Sequence, residues 1–328
     1  MTAPPPLISI LIPAYNLGPH ILAGLTALGP IPPQAEVLIY DDASGDDTAA
    51  LAERWASQTP QARVLRGAVN GGVSHARNQL LTAARGGYVW FIDGDDTLAA
   101  GALQTVVDVL RAQHPNVLIV DFTRSGPTGE NHGKAFYGPE RMLSYDKAQL
   151  LAGTLRAQSM HLWARIYRRC LNAPHAFPEG KIYEDMAVLP QILASATSFY
   201  YLPEALITYR HRPDSLVTQV TPALLVDQFT ALARLWDGPA TRGWTPPDRV
   251  LLEYQIFLDR TLRRVLKHLL RCPVGDDSRA AYAQIMAAYA NATTPMARRR
   301  AWVELWRGNL NEVRRGARTR RKAARVFS

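Results

Sequence analysis

Gly87-Tyr88-Val89-Trp90-Phe91-Ile92-Asp93-Gly94-Asp95-Asp96-Thr97 is the stretch whose reading decides the fold. A run of β-forming and aromatic residues, entered through Gly86 and Gly87, predicts a strand buried on both faces. It stops at three carboxylates within four positions. In an open α/β sheet the C-terminal edge of the strands is where ligands bind. Like charges clustered there repel, and a divalent cation relieves the repulsion. Carboxylate oxygens suit a hard ion such as Mg²⁺ or Mn²⁺, which also takes oxygens from a substrate phosphate. The competing reading is an acidic turn that caps a helix starting near Leu98, with Asp95 or Asp96 as N-cap.

Upstream, the apolar run 7–12 ends at Pro13 and predicts a first strand, and a weak helical stretch follows over 18–28. A second strand over 36–40 runs into Asp41-Asp42-Ala43-Ser44-Gly45-Asp46-Asp47-Thr48, whose acids and hydroxyls suit the cap of a helix over 48–57. A strand over 62–66, a glycine loop at 70–72 and a helix over 74–84 lead into the opening strand. A helix over 98–113 and a strand over 117–121 complete the series. Strands alternating with helices at this spacing indicate βαβ units and a parallel sheet. The Gly- and Pro-rich segment 122–145 reads as a loop or hairpin crossing the site, and a helix is expected from 184 to about 195. From residue 224 the pattern becomes helical: 224–236, 248–271, 278–290 and 297–325.

With 328 residues and 47% hydrophobic content, the chain can bury a large core. Cys170 and Cys272 lie far apart without zinc-type spacing, which fits a reducing compartment. The N-terminus lacks the basic region of a signal peptide, and no apolar run approaches the length of a spanning helix, so a cytoplasmic location is expected. Charge is divided unevenly. From Arg263 onward there are 16 Lys/Arg against 4 Asp/Glu, a balance of +12, whereas the preceding part balances to −3. The basic excess therefore describes a tail and its partner.

Four segments in order carry a specific resemblance: Ile10-Leu-Ile-Pro-Ala-Tyr-Asn16, Val37-Leu-Ile-Tyr-Asp-Asp-Ala-Ser-Gly-Asp-Asp-Thr48, Asn70-Gly-Gly-Val-Ser-His-Ala-Arg-Asn78 and Phe91-Ile-Asp-Gly-Asp-Asp96. Together they resemble the N-terminal half of a family 2 glycosyltransferase, over roughly residues 7–125. The resemblance implies the GT-A fold, a Rossmann-like α/β architecture with a mostly parallel sheet flanked by helices. It also implies inverting transfer from a nucleotide-diphospho-sugar, with a UDP-linked donor as the default. Where the family often has Gly two residues after this Asn, Leu80 stands here, a change in helix–strand packing rather than chemistry.

By that resemblance Pro13, Tyr15, Asn16 and Asp42 line the nucleotide pocket. Physically, an aromatic face and a carboxylate at neighbouring strand ends can stack on a nucleobase and accept a ring N–H, although a rim aromatic and a helix cap are the plain alternatives. Arg77 is a candidate to neutralise phosphate or to clamp an acidic strand end. Asp93 and Gly94 are implied to lie near the ribose or sugar, and Asp95 and Asp96 to hold the divalent cation, Mn²⁺ or Mg²⁺, that binds the diphosphate. Such an ion stabilises the charge developing on a departing nucleoside diphosphate.

His161-Leu-Trp-Ala-Arg-Ile-Tyr-Arg-Arg169 followed by Glu184-Asp185 is similar to the acceptor side of bacterial polysaccharide-building members. Inversion needs a base on the acceptor hydroxyl, and Asp185 is the candidate, with Glu184 positioning metal or acceptor. Two acids favoured by a helix dipole are the alternative. Tyr209-Arg210-His211-Arg212 resembles the end of the catalytic core, where Arg210, His211 and Arg212 could close over the diphosphate or simply be exposed strand-end cations.

The resemblance thus divides the chain into a GT-A domain over 1–220, with a nucleotide-sugar half to about 125 and an acceptor half beyond it, and a helical region over 221–328. The expected partners are a nucleotide-sugar donor and a glycan or lipid-linked acceptor. In the tail, Trp302, Trp306, Leu310, Val313 and Ala317 share one helical face among many arginines, which suits an anionic membrane surface. Packing on the body or on a second subunit is the other use for that stripe. Nucleic-acid binding is not expected, because RNA-binding signatures are missing and the basic excess is confined to the tail. A sugar nucleotidyltransferase would need a Gly-rich basic loop after the first strand, where Pro13-Ala-Tyr-Asn16 stands. A catalytically inactive scaffold would not require the full set of acids.

Overall fold

The computed structural model describes residues 4–126, 129–172, 175–210, 220–237, 244–293 and 310–327. In chain order the first half runs β1 (Ile8–Ala14), α1 (His20–Ala27), β2 (Ala35–Asp41), α2 (Thr48–Ser57), β3 (Ala62–Arg66), α3 (Gly72–Ala83), β4 (Tyr88–Phe91), β5 (Thr97–Leu98), α4 (Ala102–Gln113) and β6 (Val117–Gly126). There follow β7 (Gly129–Gly133), β8 (Leu143–Ser144), α5 (Lys147–Ala157), β9 (Arg165–Arg168), α6 (Arg169–Asn172), α7 (Glu184–Ser195) and β10 (Phe199–Arg210). Four further helices are α8 (Pro222–Ala233), α9 (Asp248–Leu269), α10 (Asp276–Ala292) and α11 (Leu310–Phe327).

β1 and β2 carry near-continuous apolar runs because helices cover both faces of the sheet, so alternate residues on either face are buried. β1 lies between β2 and β4, parallel to both, with Ile10 level with Val37 and Leu11 level with Phe91. The full order is β3-β2-β1-β4-β9-β6-β10-β5, with β7 added to β6 and β8 to β10. Each large apolar side chain sealed in this core, such as Phe91 at 1% exposure, contributes about 1.5–3 kcal/mol. Leu80 is one of them, filling the α3 contact with the sheet.

The structure differs from the sequence expectations in three places. β9 enters antiparallel between β4 and β6, so the sheet is parallel in its first half and mixed beyond it. β6 continues past Asp121 to Gly126, because β7 folds back on it as a hairpin and β10 runs alongside as far as Arg210. Finally, the acidic turn does not cap a helix. Thr97 and Leu98 form β5 against β10, and α4 begins only after Gly101, whose φ of 77° suits a residue without a side chain.

At the N-terminal edge of the strands, buried Glu36 accepts hydrogen bonds from Ser9 Oγ at 2.6 Å and Arg85 N at 2.7 Å, and pairs with the Arg85 side chain at 3.0 Å. Burial alone would raise its pKa, but those bonds outweigh it and hold the carboxyl below the usual range. Glu36 is thereby engaged in structure at that edge.

α11 packs on α9 and α10. Ala323 and Phe327 are buried, with the Phe327 ring 5.7 Å from that of Tyr282, and Arg320 approaches Asp259 at 3.8 Å. Arg314, Arg315, Arg318, Arg321, Lys322 and Arg325 remain exposed. The C-terminal part of this helix therefore gives its apolar side to the body and its cations to solvent. Trp302 and Trp306 lie outside the described residues. Among the described residues, no helix is long and apolar enough to cross a membrane.

Candidate active site

The ends of β1, β2 and β4 converge. Ala14 is level with Asp41, and Gly94 lies so close to Pro13 that a Cβ there would sit 3.3 Å from the Pro13 carbonyl oxygen. Asn16, in the left-handed region at φ 48°, accepts the Gly45 N–H at 2.8 Å, and its own N–H donates to Ser44 Oγ at 3.0 Å. The loops after β1 and β2 are thereby laced together, leaving the Tyr15 ring 46% exposed on the rim. Asp42 is buried, and its two oxygens accept the N–H groups of Gly71 at 3.0 Å and Gly72 at 2.7 Å. Asp42 does not cap the adjacent α2 as the sequence suggested; its carboxylate instead receives the two N–H groups that open α3. An ionised carboxylate has about four acceptor positions, so two remain for another donor.

The acidic turn closes with the Asp96 N–H donating to Asp93 O at 3.0 Å. Asp93 and Asp95 are partly exposed, and Asp96 is turned inward at 1% exposure. Its Oδ1 accepts the Arg210 N–H at 3.0 Å, tying the last residue of β10 to the turn, and its Oδ2 is buried with no hydrogen-bond partner. Burial, then the nearby Asp93, pushes the Asp96 pKa well above the usual carboxylate range. Among the described residues no three His, Cys, Asp or Glu side chains converge as a metal cage. A nucleotide-bound Mg²⁺ or Mn²⁺ does not need one, since such ions take one or two carboxylates and complete their shell from phosphates and water. A partly exposed Asp95 with an unpartnered Asp96 oxygen behind it fits that chemistry.

The acceptor-side acids open α7, where Tyr183 at φ 66° turns the chain so that Glu184 and Asp185 occupy the first helical turn. Arg77 reaches them from α3. Its Nη1 is bonded to Glu184 Oε1 and its Nη2 to Asp93 Oδ1 at 3.1 Å, with the guanidinium carbon 5.9 Å from the Phe91 ring centre and 5.7 Å from that of Phe177. Of the two uses expected for Arg77, the structure holds the clamp. Asp185 keeps part of its surface open, and its own backbone geometry brings Oδ1 to the Met186 N–H at 2.7 Å. Burial raises its pKa to about 6, against the pull of Arg77. A carboxyl tuned upward in a crevice is suited to take a proton.

Two features here were not read from the sequence. Arg165, fully buried, donates to the carbonyls of His161 at 2.9 Å, Ser159 at 2.7 Å and Ala135 at 3.2 Å. Burial pulls its pKa down to about 9, partly offset by Asp185 and Asp121. It is thus a buried cation whose charge acts on Asp185. Beside it His161, Trp163 and Tyr209 stack in a row, with ring centres 4.5 Å and 5.7 Å apart. Burial and the three acids of the turn lift the Tyr209 phenol to about 12. The quoted stretch 161–169 contains the first three of these residues, but their stacking and burial depend on pairings with β4, β6 and β10. His211 and Arg212 lie outside the described residues.

Comparison with known proteins bears on the family and the fold. Residues 9–171 match the family model described as Glycosyl transferase family 2. The protein named Uncharacterized glycosyltransferase EpsJ of Bacillus subtilis (strain 168) is 28% identical over 219 residues, which cover 64% of this chain and 63% of that protein. Putative teichuronic acid biosynthesis glycosyltransferase TuaG of the same organism is 25% identical over 211 residues, covering 64% of this chain and 81% of its own length. Among solved structures, S. aureus TarS 1-349 in complex with UDP-GlcNAc matches with a TM-score of 0.60 at 18% identity, over 92% of this chain and 91% of that one. Mannosyltransferase PcManGT from Pyrobaculum calidifontis, in complex with GDP-Man and Mn²⁺, matches with a TM-score of 0.52 at 17% identity, over 95% and 86%. From its family model, its relatives and its sheet, the chain carries a glycosyl transferase family 2 domain over residues 9–171 and has the GT-A fold.

Proposed function

We propose that this chain transfers a sugar from a nucleotide-diphospho-sugar, a UDP-sugar by default, to a hydroxyl acceptor with inversion at the anomeric carbon. The observation that carries the reading is the meeting of the acidic turn after β4 with the acidic start of α7, joined through Arg77. Tyr15 and Asp42 would hold the base, with Pro13 and Asn16 shaping the loop beneath it, and Asp93 and Gly94 would border the ribose and sugar. Asp185 would take the proton from the acceptor hydroxyl as the oxygen attacks the anomeric carbon opposite the departing diphosphate. Glu184, held by Arg77, would fix the helix turn that presents Asp185. A divalent cation held by Asp95, Asp96 and the diphosphate would supply the positive charge that the leaving nucleoside diphosphate needs. His211 and Arg212 are proposed to add cations on the diphosphate side.

Support for the donor class comes from the fold matches, solved with UDP-GlcNAc and with GDP-Man and Mn²⁺. Relatives named for teichuronic acid and minor teichoic acid biosynthesis support an acceptor in cell-wall polysaccharide synthesis, either a glycan or a lipid-linked precursor. We place this activity in residues 1–220, with the helical remainder serving attachment. The exposed cations of α11 suit an anionic lipid surface at the inner face of the cell membrane, at about 1 kcal/mol per charge. The test is release of nucleoside diphosphate from a panel of nucleotide sugars with Mn²⁺ or Mg²⁺. Turnover of one donor class supports the reading, and no release from any donor contradicts it.

A further inference from the structure

We propose that Arg77 is a positioning residue for the transfer, the central tie by which α3 holds the acidic start of α7 against the acidic turn, and that it is not a ligand of the donor phosphates. This rests on the reading of Asp185 as base.

Three side chains of α3 reach the segment that leads into α7, about a hundred residues later. His75 Nδ1 lies 3.2 Å from Glu179 Oε1. Asn78 makes both of its bonds to one residue, donating to Phe177 O at 3.0 Å and accepting the Phe177 N–H at 2.8 Å. That pair fixes Phe177 as a strand neighbour would. The Phe177 ring then stands edge-on to Phe91 at 5.4 Å, and the two rings close on the guanidinium of Arg77. Arg77 is 6% exposed and has one carboxylate on each terminal nitrogen, Glu184 from the acceptor side and Asp93 from the donor side. Its charge is balanced inside the protein, in a planar fork whose two ends specify the distance between the two acidic segments. Its Nε is buried without a hydrogen-bond partner, so a donor remains, but at 6% exposure a phosphate could reach it only by opening the packing of Phe91, Phe177 and the two carboxylates around the guanidinium, which is costly.

The same cation acts on Asp185. The groups facing that carboxyl are Arg77 from α3, Asp93 from the turn and Arg165 from β9, with Tyr183 and Glu184 beside it in the chain. Arg77 is the strongest of them in favouring the ionised form. Losing it would both loosen the helix start and make the base harder to ionise.

The experiment uses the full chain with Arg77→Met, Arg77→Lys and Asn78→Ala. It measures UDP binding by calorimetry with Mn²⁺, kcat, and the pH profile of kcat. For Arg77→Met the expected result is UDP affinity within about threefold of the parent, kcat lower by about 10²-fold through misplacement, and an acid limb displaced to higher pH. Arg77→Lys should return the limb toward the parent while kcat stays low, because a point charge cannot span two carboxylates. Asn78→Ala should lower kcat with the limb unmoved. If Arg77→Met fails to fold, Arg77→Lys decides by the same split between affinity and rate. A loss of UDP affinity of about tenfold or more with an unmoved limb would make Arg77 a donor ligand, and unchanged kcat in both Arg77 variants would remove its role; either overturns the proposal. Asp185→Asn, run in parallel, separates the two readings. Full activity in that variant sinks the base assignment, whereas its inactivity with a normal Arg77→Met sinks only the positioning role.

Discussion

Gly24 offers a test of how tightly the acidic turn is held from behind. It lies buried in α1, and a Cβ added there would sit 2.6 Å from the Gly94 carbonyl oxygen and 3.0 Å from that of Asp96. Both are backbone atoms, so no rotamer change relieves the clash. Leu17, just before α1, and Ile21, within it, already press on the turn from the same side, since a Cβ at Gly94 would meet their Cδ1 atoms at 2.6 Å and 3.0 Å, so the interface has no slack. Gly24→Ala must therefore part α1 from the turn by somewhat under about 1 Å, since close-packed interiors transmit strain rather than absorb it. Overpacking of this kind costs about 1–3 kcal/mol. Ala recovers about 1 kcal/mol through its helix propensity, so the expected net loss is about 0–2 kcal/mol. The effect on chemistry should be larger than that on stability. The moved atoms carry Asp95 and Asp96, and a displacement approaching 1 Å costs up to about 10²-fold in rate. Urea unfolding and the release assay, titrated with Mn²⁺, report the two quantities separately. A Gly24→Ala protein with the parent's kcat and an equal or higher unfolding midpoint would refute the reasoning.

The rate should fall as pH drops through about 6, because Asp185 must be ionised to accept a proton and its pKa is raised to that value; a flat kcat between pH 5 and 7 would argue against it. Asp185→Asn should keep donor affinity and lose about 10²–10⁴ in kcat. Asp42→Ala removes the acceptor for two N–H groups at the start of α3 and should lower stability by about 0.5–2 kcal/mol in urea titration, with an unchanged midpoint counting against the cap. Vesicle flotation tests the tail: the full chain should rise with anionic but not neutral vesicles and release with salt. Replacing Arg314, Arg315, Arg318 and Arg321 by Gln should abolish binding, and equal recovery of both proteins without lipid would end the membrane reading.

Much of the first half of the fold was legible because most strands there are short apolar runs ending in loops rich in Asp, Asn and Gly, and their alternation with helices indicates parallel βαβ units, although not the order of the strands. The acids after β4 and those opening α7 were legible for the same reason, since the element boundary and the chemistry coincide in sequence. What escaped depends on partners far along the chain. Thr97 and Leu98 form a strand only because β10 lies beside them, and β9 has four residues with no periodicity of its own. Asp42 caps α3 rather than α2 because folding brings Gly71 and Gly72 to it, while sequence proximity pointed to the nearer helix. The bonds of His75, Arg77 and Asn78 span 99 to 107 residues, and no local pattern encodes that distance. In the tail, the arginine-rich stripe was readable, but its burial of Phe327 against Tyr282 follows from α9 and α10 being there to receive it.

The most direct test of the account compares the parent chain with Asp95→Ala in the release of nucleoside diphosphate from the donor that the panel identifies, with Mn²⁺ and then with EDTA. The parent should turn over only with the cation, and Asp95→Ala should be inactive under both conditions while its far-UV spectrum and unfolding midpoint stay close to those of the parent. Parent-level release in EDTA, or by Asp95→Ala, would contradict a site in which the acidic turn after β4 holds the donor diphosphate through a metal ion.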